Sequence, residues 1–243
     1  MIYQKEKMQV EALENVDLSV EPGEFFSLVG PSGCGKTTIL KLMGGLLKPT
    51  SGKITLNGKP VEEARRNREF AFVFQTPALL PWRNSRDNVL LPLEIIGGKT
   101  ESNRKKALDL LDFMGLSNFL DSYPSVLSGG MQQRVSIARA LAFSAKLLLM
   151  DEPFGALDAM TRTKMAYELL RIWTQVKTTV VFVTHDIPEA VLLSDRIAVM
   201  SERPGKILET RTIDLPRPRS AETEENAAFT HHVQSIRKHF GLR

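Results

Sequence analysis

A chain of 243 residues with 42% hydrophobic content is long enough to bury one substantial core, so a single folded unit is expected, with or without a smaller attached subdomain. Its 32 basic and 28 acidic residues leave a formal charge of +4, too small a surplus to point to nucleic acid, which calls for a concentrated basic face. One cysteine, Cys34, excludes an internal disulfide and a cysteine-based metal cluster and fits a reducing cytosol. The opening MIYQKEKMQV lacks the apolar core of a signal peptide, and no apolar run approaches the roughly 18 residues of a membrane helix, so any membrane role is expected to come through a partner.

The apolar run Phe25 to Val29 leads directly into the glycine-rich stretch Gly30 to Gly35, and Thr37 to Leu47 reads as a helix, predicting strand, loop and helix in succession. Lys53 to Asn57 alternates polar and apolar residues, and Phe70 to Phe74 predicts a second buried strand. From about Asn88 to Ala142 the pattern is helical, clearest over Lys105 to Met114 and Met131 to Ala142, which predicts a helical insertion. Apolar strands return at Leu147 to Met150, Thr179 to Val183 and Ile197 to Met200, separated by the helical stretches Thr161 to Val176 and Ile187 to Leu193. That alternation predicts a buried parallel sheet. After Asp214 the segment LPRPRSAETEEN predicts a solvated linker, and Phe229, Val233, Ile236 and Phe240 recur at the spacing of a short amphipathic helix. The expected organisation is one domain: a catalytic core over 1–87 and 143–214, a helical subdomain over 88–142, and a linker with an end helix over 215–243.

Gly30-Pro31-Ser32-Gly33-Cys34-Gly35-Lys36-Thr37 fits the pattern G-x-x-x-x-G-K-[ST] in the strand-to-helix setting which that pattern requires. The glycines let the backbone wrap close to phosphate, so that successive amides and the positive end of the following helix, with Thr38 in its first turn, face an anion. Lys36 is expected to reach the terminal phosphates of ATP and the Thr37 hydroxyl to bind magnesium. The Cys34 thiol, inside that loop and near Lys36, is expected to react with a bulky maleimide unless ATP protects it. Leu147 to Met150 delivers Asp151 and Glu152 to the sheet's C-terminal edge, where such sheets bind ligands. Asp151 is expected to hold magnesium and Glu152 to take a proton from the attacking water.

Leu127-Ser128-Gly129-Gly130-Met131-Gln132-Gln133-Arg134 resembles the signature motif of ABC ATPases, with Ser128, Gly129 and Gly130 at a helix start that forms a second anion-binding terminus. Gln75 resembles the family's Q-loop glutamine, a magnesium and water contact. Gly155-Ala156-Leu157-Asp158 resembles the D-loop and His185 the switch histidine that senses the γ-phosphate. His231, His232 and His239 are read as surface residues of a polar tail. The resemblance covers nearly the whole chain. It implies an α/β fold with a P-loop, RecA-like core, a mainly parallel sheet, an N-terminal antiparallel β part and an inserted α-helical subdomain. It further implies a homodimer with two ATP sites, each pairing the phosphate loop of one copy with Ser128 to Gly130 and Asp158 of the other. The chain departs from the family at Met131, where glutamine is usual, and at Gly155, where serine is common. Tyr3 matches the adenine-stacking aromatic by spacing, although here no strand is expected to precede it.

Between Thr37 and Ser128 there is no room for the long coiled coil of chromosome-organising ABC proteins, and no sustained heptads occur. The chain resembles a separate importer subunit. Phe74 to Arg83, Asp87-Asn88-Val89 and Leu215 to Arg219 are similar to the ATPases of nitrate, sulfonate, taurine and related importers. That likeness implies integral-membrane permease subunits at the cytoplasmic face and an external solute-binding protein. Leu79, Leu80 and Trp82 are expected either to edge the groove that receives the permease or to pack in the core. A P-loop small-molecule kinase would share Lys36 and Asp151 without needing Ser128 to Gly130, and a nucleotide-gated scaffold would not need Glu152 and His185.

Overall fold

The computed structural model describes residues 1–5, 8–98 and 100–241, with the side chains of 3–5 and 8 outside the description. Strands β1 (Ile2–Lys5) and β2 (Met8–Glu11) pair antiparallel with Tyr3 opposite Val10, so Tyr3 lies within the first strand and no earlier strand precedes it. Strand β3 (Phe25–Val29) follows and is buried at every position. Helix α1 (Lys36–Met43) stops short of Leu47, because Gly45 takes a φ of 59° and the Leu46 N–H turns back to the Lys41 carbonyl at 2.8 Å. The alternating run around Thr55 gives only β4 (Thr55–Leu56) and β5 (Lys59–Pro60), joined by Asn57 and Gly58 at φ 51° and 76°, the signs a tight hairpin requires.

Helix α2 (Val61–Arg66) and strand β6 (Phe70–Val73) lead into three consecutive helices, α3 (Ser85–Gly97), α4 (Glu101–Phe113) and α5 (Gly129–Ala142). The chain then alternates through β7 (Leu147–Asp151), α6 (Ala159–Val176), β8 (Thr179–Thr184), α7 (Ile187–Leu193) and β9 (Arg196–Met200). It closes with β10 (Ile207–Thr212), α8 (Ala221–Glu224) and α9 (Ala227–Lys238). The main sheet has the order β10-β9-β3-β8-β7-β6, parallel except for the antiparallel β10. β10 alternates half-buried and exposed positions, and its charged Glu209 and Arg211 hid it from the apolar pattern.

Period-two alternation sends successive side chains to opposite faces, and helices cover both faces of this sheet. Phe26, Leu28, Leu149, Val181 and Ala198 join Leu40 of α1 on one face. Phe25, Val29, Met150, Phe182 and Val199 join residues of α5, α6 and α7 on the other. The Pro- and Arg-rich segment after Asp214 is a packed strap, which corrects the expected solvated linker: Leu215 and Arg219 are buried. The Arg219 guanidinium donates to the carbonyls of Val191, Leu192 and Ser194 at the end of α7 and of Ile213 and Leu215. Arg217 donates to Asp195 and to the Leu193 carbonyl, and its guanidinium stacks 4.2 Å over the Trp173 ring. Composition alone makes such arginines look solvated, whereas here the unpaired carbonyls of a helix C-terminus take them up. His232 is likewise buried, with Nε2 2.8 Å from Asp214 Oδ1, while His231 and His239 lie at the surface.

Candidate active site

Strands β3, β8 and β7 are neighbours, with Val29 opposite Thr184 and Asp151 opposite Val183. Their C-terminal ends therefore set the glycine loop, His185 and the Asp151-Glu152 pair side by side. In the loop, Gly33 and Gly35 have φ of 77° and 107°, and a Cβ on Gly35 would stand 2.6 Å from Leu13 Cδ2, so a side chain there is excluded on two grounds. Helix α1 begins without a side-chain cap and without an acidic residue in its first turn, which leaves a terminus suited to an anion. Ser32 is exposed, Pro31 and Thr38 are half-buried, and Gly30 packs against Cys34 and Met200.

The Lys36 ammonium is buried and donates to the Gly30 and Pro31 carbonyls at 2.7 and 2.9 Å, so it spans the mouth of its own loop. Cys34 is only 1% exposed and packs in the apolar cluster beneath α1, which corrects the expectation of an accessible, reactive thiol. Its sulfur lies beneath the loop, 3.9 Å from the Lys36 ammonium. The Thr37 hydroxyl donates to Asp151 Oδ1 at 2.9 Å. Asp151 is buried, and that burial raises its pKa, opposed by the Thr37 hydrogen bond and by Lys41 and Lys36.

Glu152 takes a φ of 42° and donates its N–H to the Val183 carbonyl at 2.9 Å. This left-handed residue reverses the chain at the strand end, so that adjacent carboxylates diverge, Asp151 toward Thr37 and Glu152 toward His185. Glu152 Oε2 lies 3.0 Å from His185 Nδ1. Strained non-glycine backbone of this kind persists only where surrounding structure fixes it.

Gln75 is exposed just past β6, on a segment pinned by Gln133 and Asn88, quoted above only within motifs, and by Arg139, which the sequence did not single out. Gln133 Nε2 donates to the Phe74 carbonyl at 3.2 Å and Arg139 to the Ala78 carbonyl at 2.7 Å. The Asn88 side chain accepts from the Leu80 N–H at 2.8 Å and donates to the Arg83 carbonyl at 2.9 Å. A fully buried Asn and Gln within a helical run were the available signal. Leu79 packs against the core, whereas Trp82 is 71% exposed, so the core-packing alternative fails for Trp82.

Ser128 caps α5 by accepting from the Met131 N–H at 3.2 Å, and Asp158 caps α6 by accepting from the Thr161 N–H at 3.0 Å. The backbone N–H and hydroxyl of Thr161 hold the Asp158 carboxyl below its usual pKa. Ser128, Gly129 and Asp158 are exposed, and a Cβ on Gly130 would stand 2.9 Å from Leu157 Cδ2. The structure thus brings Lys36, Thr37, Asp151, Glu152 and His185 to one sheet edge and places the signature and D-loop residues at the starts of α5 and α6. The Tyr3 side chain lies outside the described residues.

A parallel sheet that ends in a glycine loop, a buried lysine, a Thr-Asp pair and a Glu-His pair defines a P-loop ATP-binding domain. The ABC transporter family model matches residues 13–155, more than half of the chain, and the chain belongs to that family. An uncharacterized ABC transporter ATP-binding protein of Methanocaldococcus jannaschii is 47% identical over 230 residues, 95% of this chain and 85% of its own length. The aliphatic sulfonates import ATP-binding protein SsuB of Bacillus cereus is 43% identical over 236 residues, 97% of this chain and 89% of its own. The nitrate import ATP-binding protein NrtD of Synechococcus elongatus is 44% identical over 220 residues, 88% and 79%. Among solved structures, a dimeric post-hydrolysis state of an ATP-binding cassette bound to ADP and Pi aligns with a TM-score of 0.79. It shares 36% identity and covers 87% of this chain and 95% of that one. The chain is an ABC transporter ATP-binding subunit with import-type relatives, and among the described residues no helix is long and apolar enough to cross a membrane.

Proposed function

We propose that the protein hydrolyses ATP as a homodimer at the cytoplasmic face of a membrane and drives solute import through separate integral-membrane permease subunits. The solute is nitrate, a sulfonate, taurine or a related small molecule, delivered by an external binding protein. The import names of SsuB and NrtD relatives support this reading, and the dimeric nucleotide-bound neighbour supports the assembly.

The observation that carries hydrolysis is the Glu152-His185 contact of 3.0 Å at the edge beside the phosphate loop. Glu152 is placed to take a proton from the attacking water. His185 holds that carboxylate through Nδ1, which leaves Nε2 as the nitrogen turned to the γ-phosphate. Lys36 exchanges two neutral carbonyls for the terminal phosphates, and the amides of Ser32 to Thr38 receive the inner ones. Thr37 Oγ1 and Asp151 Oδ1, 2.9 Å apart, are hard oxygen donors of the kind magnesium takes in small number beside phosphate and water. Both fit, and Gln75 is the third candidate. Bound there, the ion would neutralise charge developing on the β- and γ-oxygens. Ser128, Gly129, Gly130 and Asp158 serve the nucleotide of the opposite copy, consistent with the exposure of Ser128, Gly129 and Asp158.

Glu152→Gln tests the reading, since glutamine keeps the reach of glutamate without its basicity. Phosphate release should fall by about 10²- to 10⁴-fold with ATP binding retained, and light scattering should show a dimer with ATP and a monomer without it. A monomer in both conditions, with near-normal phosphate release, overturns the base assignment and the composite site together.

A further inference from the structure

Behind the Glu152-His185 pair, two buried polar atoms lack a protein partner among the described residues: Oε1 of Glu189 on α7 and Nε of Arg162 on α6. Both residues line one void of about 10 Å³, together with Glu152, Thr184, His185 and Asp186. Leaving a buried donor and a buried acceptor bare costs about 1–3 kcal/mol each, and native interiors satisfy such groups with protein or with ordered water. A void of roughly 10–15 Å³ holds one water, provided that two to four polar groups receive it.

The geometry points to a single buried water bonded to Glu189 Oε1 and Arg162 Nε, which makes these two the positioning residues of the hydrolytic pair. The remaining contacts explain what the water would lock. Arg162 donates to the Leu157 carbonyl at 3.3 Å and sits 3.6 Å from Asp186 Oδ2. Asp186 caps α7 by accepting from the Glu189 N–H at 3.0 Å, and its own N–H donates to Thr184 Oγ1 at 3.0 Å. The water completes a ring that ties the start of α6, just after Asp158, to the start of α7, just after His185. The Glu189 carboxyl also suits the task. Burial, with the Asp186 and Glu152 charges, pushes it up to about 7 against the Thr184 hydrogen bond and Arg162. Near neutral pH it can therefore donate to a water as well as accept from one.

The proposal rests on Glu152 acting as the base, which the Glu152→Gln measurement tests separately. A high-resolution crystal structure of the full chain should show one water within hydrogen-bond distance of both atoms. A dry void, or a direct Glu189-Arg162 bond, overturns the inference. In solution, Glu189→Leu, which removes the acceptor, should lower kcat about tenfold with KM for ATP unchanged. Glu189→Gln, which keeps an oxygen for the water, should stay within about twofold of the parent. If Glu189→Leu turns over like the parent while Glu152→Gln is inactive, the positioning role fails and the hydrolytic reading stands. If Glu189→Leu does not fold, the crystal structure decides alone.

Discussion

Arg219 donates to the Ser194 carbonyl at 2.7 Å across 25 positions of sequence and so closes the C-terminal end of the helix whose other end adjoins His185. Its guanidinium is buried, and burial, with the neighbouring Arg217 charge, lowers its pKa to about 10 against Asp195. Arg219→Met should strip five carbonyls of their donor and destabilise the protein by about 2–4 kcal/mol, read from urea denaturation. An unchanged midpoint would mean that water replaces the guanidinium without loss.

Glu189 gives stability a sign with pH. Its folded-state pKa is raised from 4.5 to about 7, so the fold favours the uncharged acid. The associated stability is full below the unfolded value and is lost as pH rises through about 7. Glu189→Gln, neutral throughout, should match the parent near pH 4 and exceed it by up to about 3 kcal/mol near pH 8. Thermal melts of both proteins across that range check it, and parallel pH profiles would refute it.

Cys34 should resist bulky maleimide in the folded protein, with and without MgATP, because only 1% of it is exposed and reaction requires access. Labelling followed by mass spectrometry before and after denaturation measures this. Fast native labelling that ATP suppresses would restore the thiol to the phosphate-contacting surface.

Trp82→Ala should leave the fold within about 0.5 kcal/mol of the parent, since the ring is 71% exposed, and leave ATP affinity intact. Copurification with the permease should weaken. A variant that instead melts early would show that the ring supports the segment after Gln75.

The buried strands and the phosphate loop were legible because each rests on a local pattern: Phe25 to Val29 is apolar throughout, and Gly33 and Gly35 mark backbone that other residues cannot follow. Asp151 and Glu152 were legible as a pair, but the left-handed φ of 42° at Glu152 is announced by no residue type at that position. The strap was misread because Pro, Arg, Ser and Glu predict solvation on average, while the carbonyls that accept from Arg217 and Arg219 belong to α7. His232 was misread for the same reason: its burial depends on a helix folding back on α7. Arg162 gave no sign at all, since its partners Leu157 and Asp186 flank it in space from two different loops.

The phosphate loop, Asp151, Glu152 and His185 hang from three adjoining strands, whereas Ser128 to Gly130 ride on α5, within a helix group entered after β6, the last strand of the sheet. The molecule therefore divides its labour mechanically. A hydrogen-bonded sheet holds one set of contact points at fixed strand spacing, and the other set takes its place from α5, which is tied to the stretch after β6 through Gln133 to the Phe74 carbonyl and Arg139 to the Ala78 carbonyl. Whatever occupies the strand ends is therefore reported to Ser128 through two side-chain bonds and the packing of one helix, not through the sheet itself.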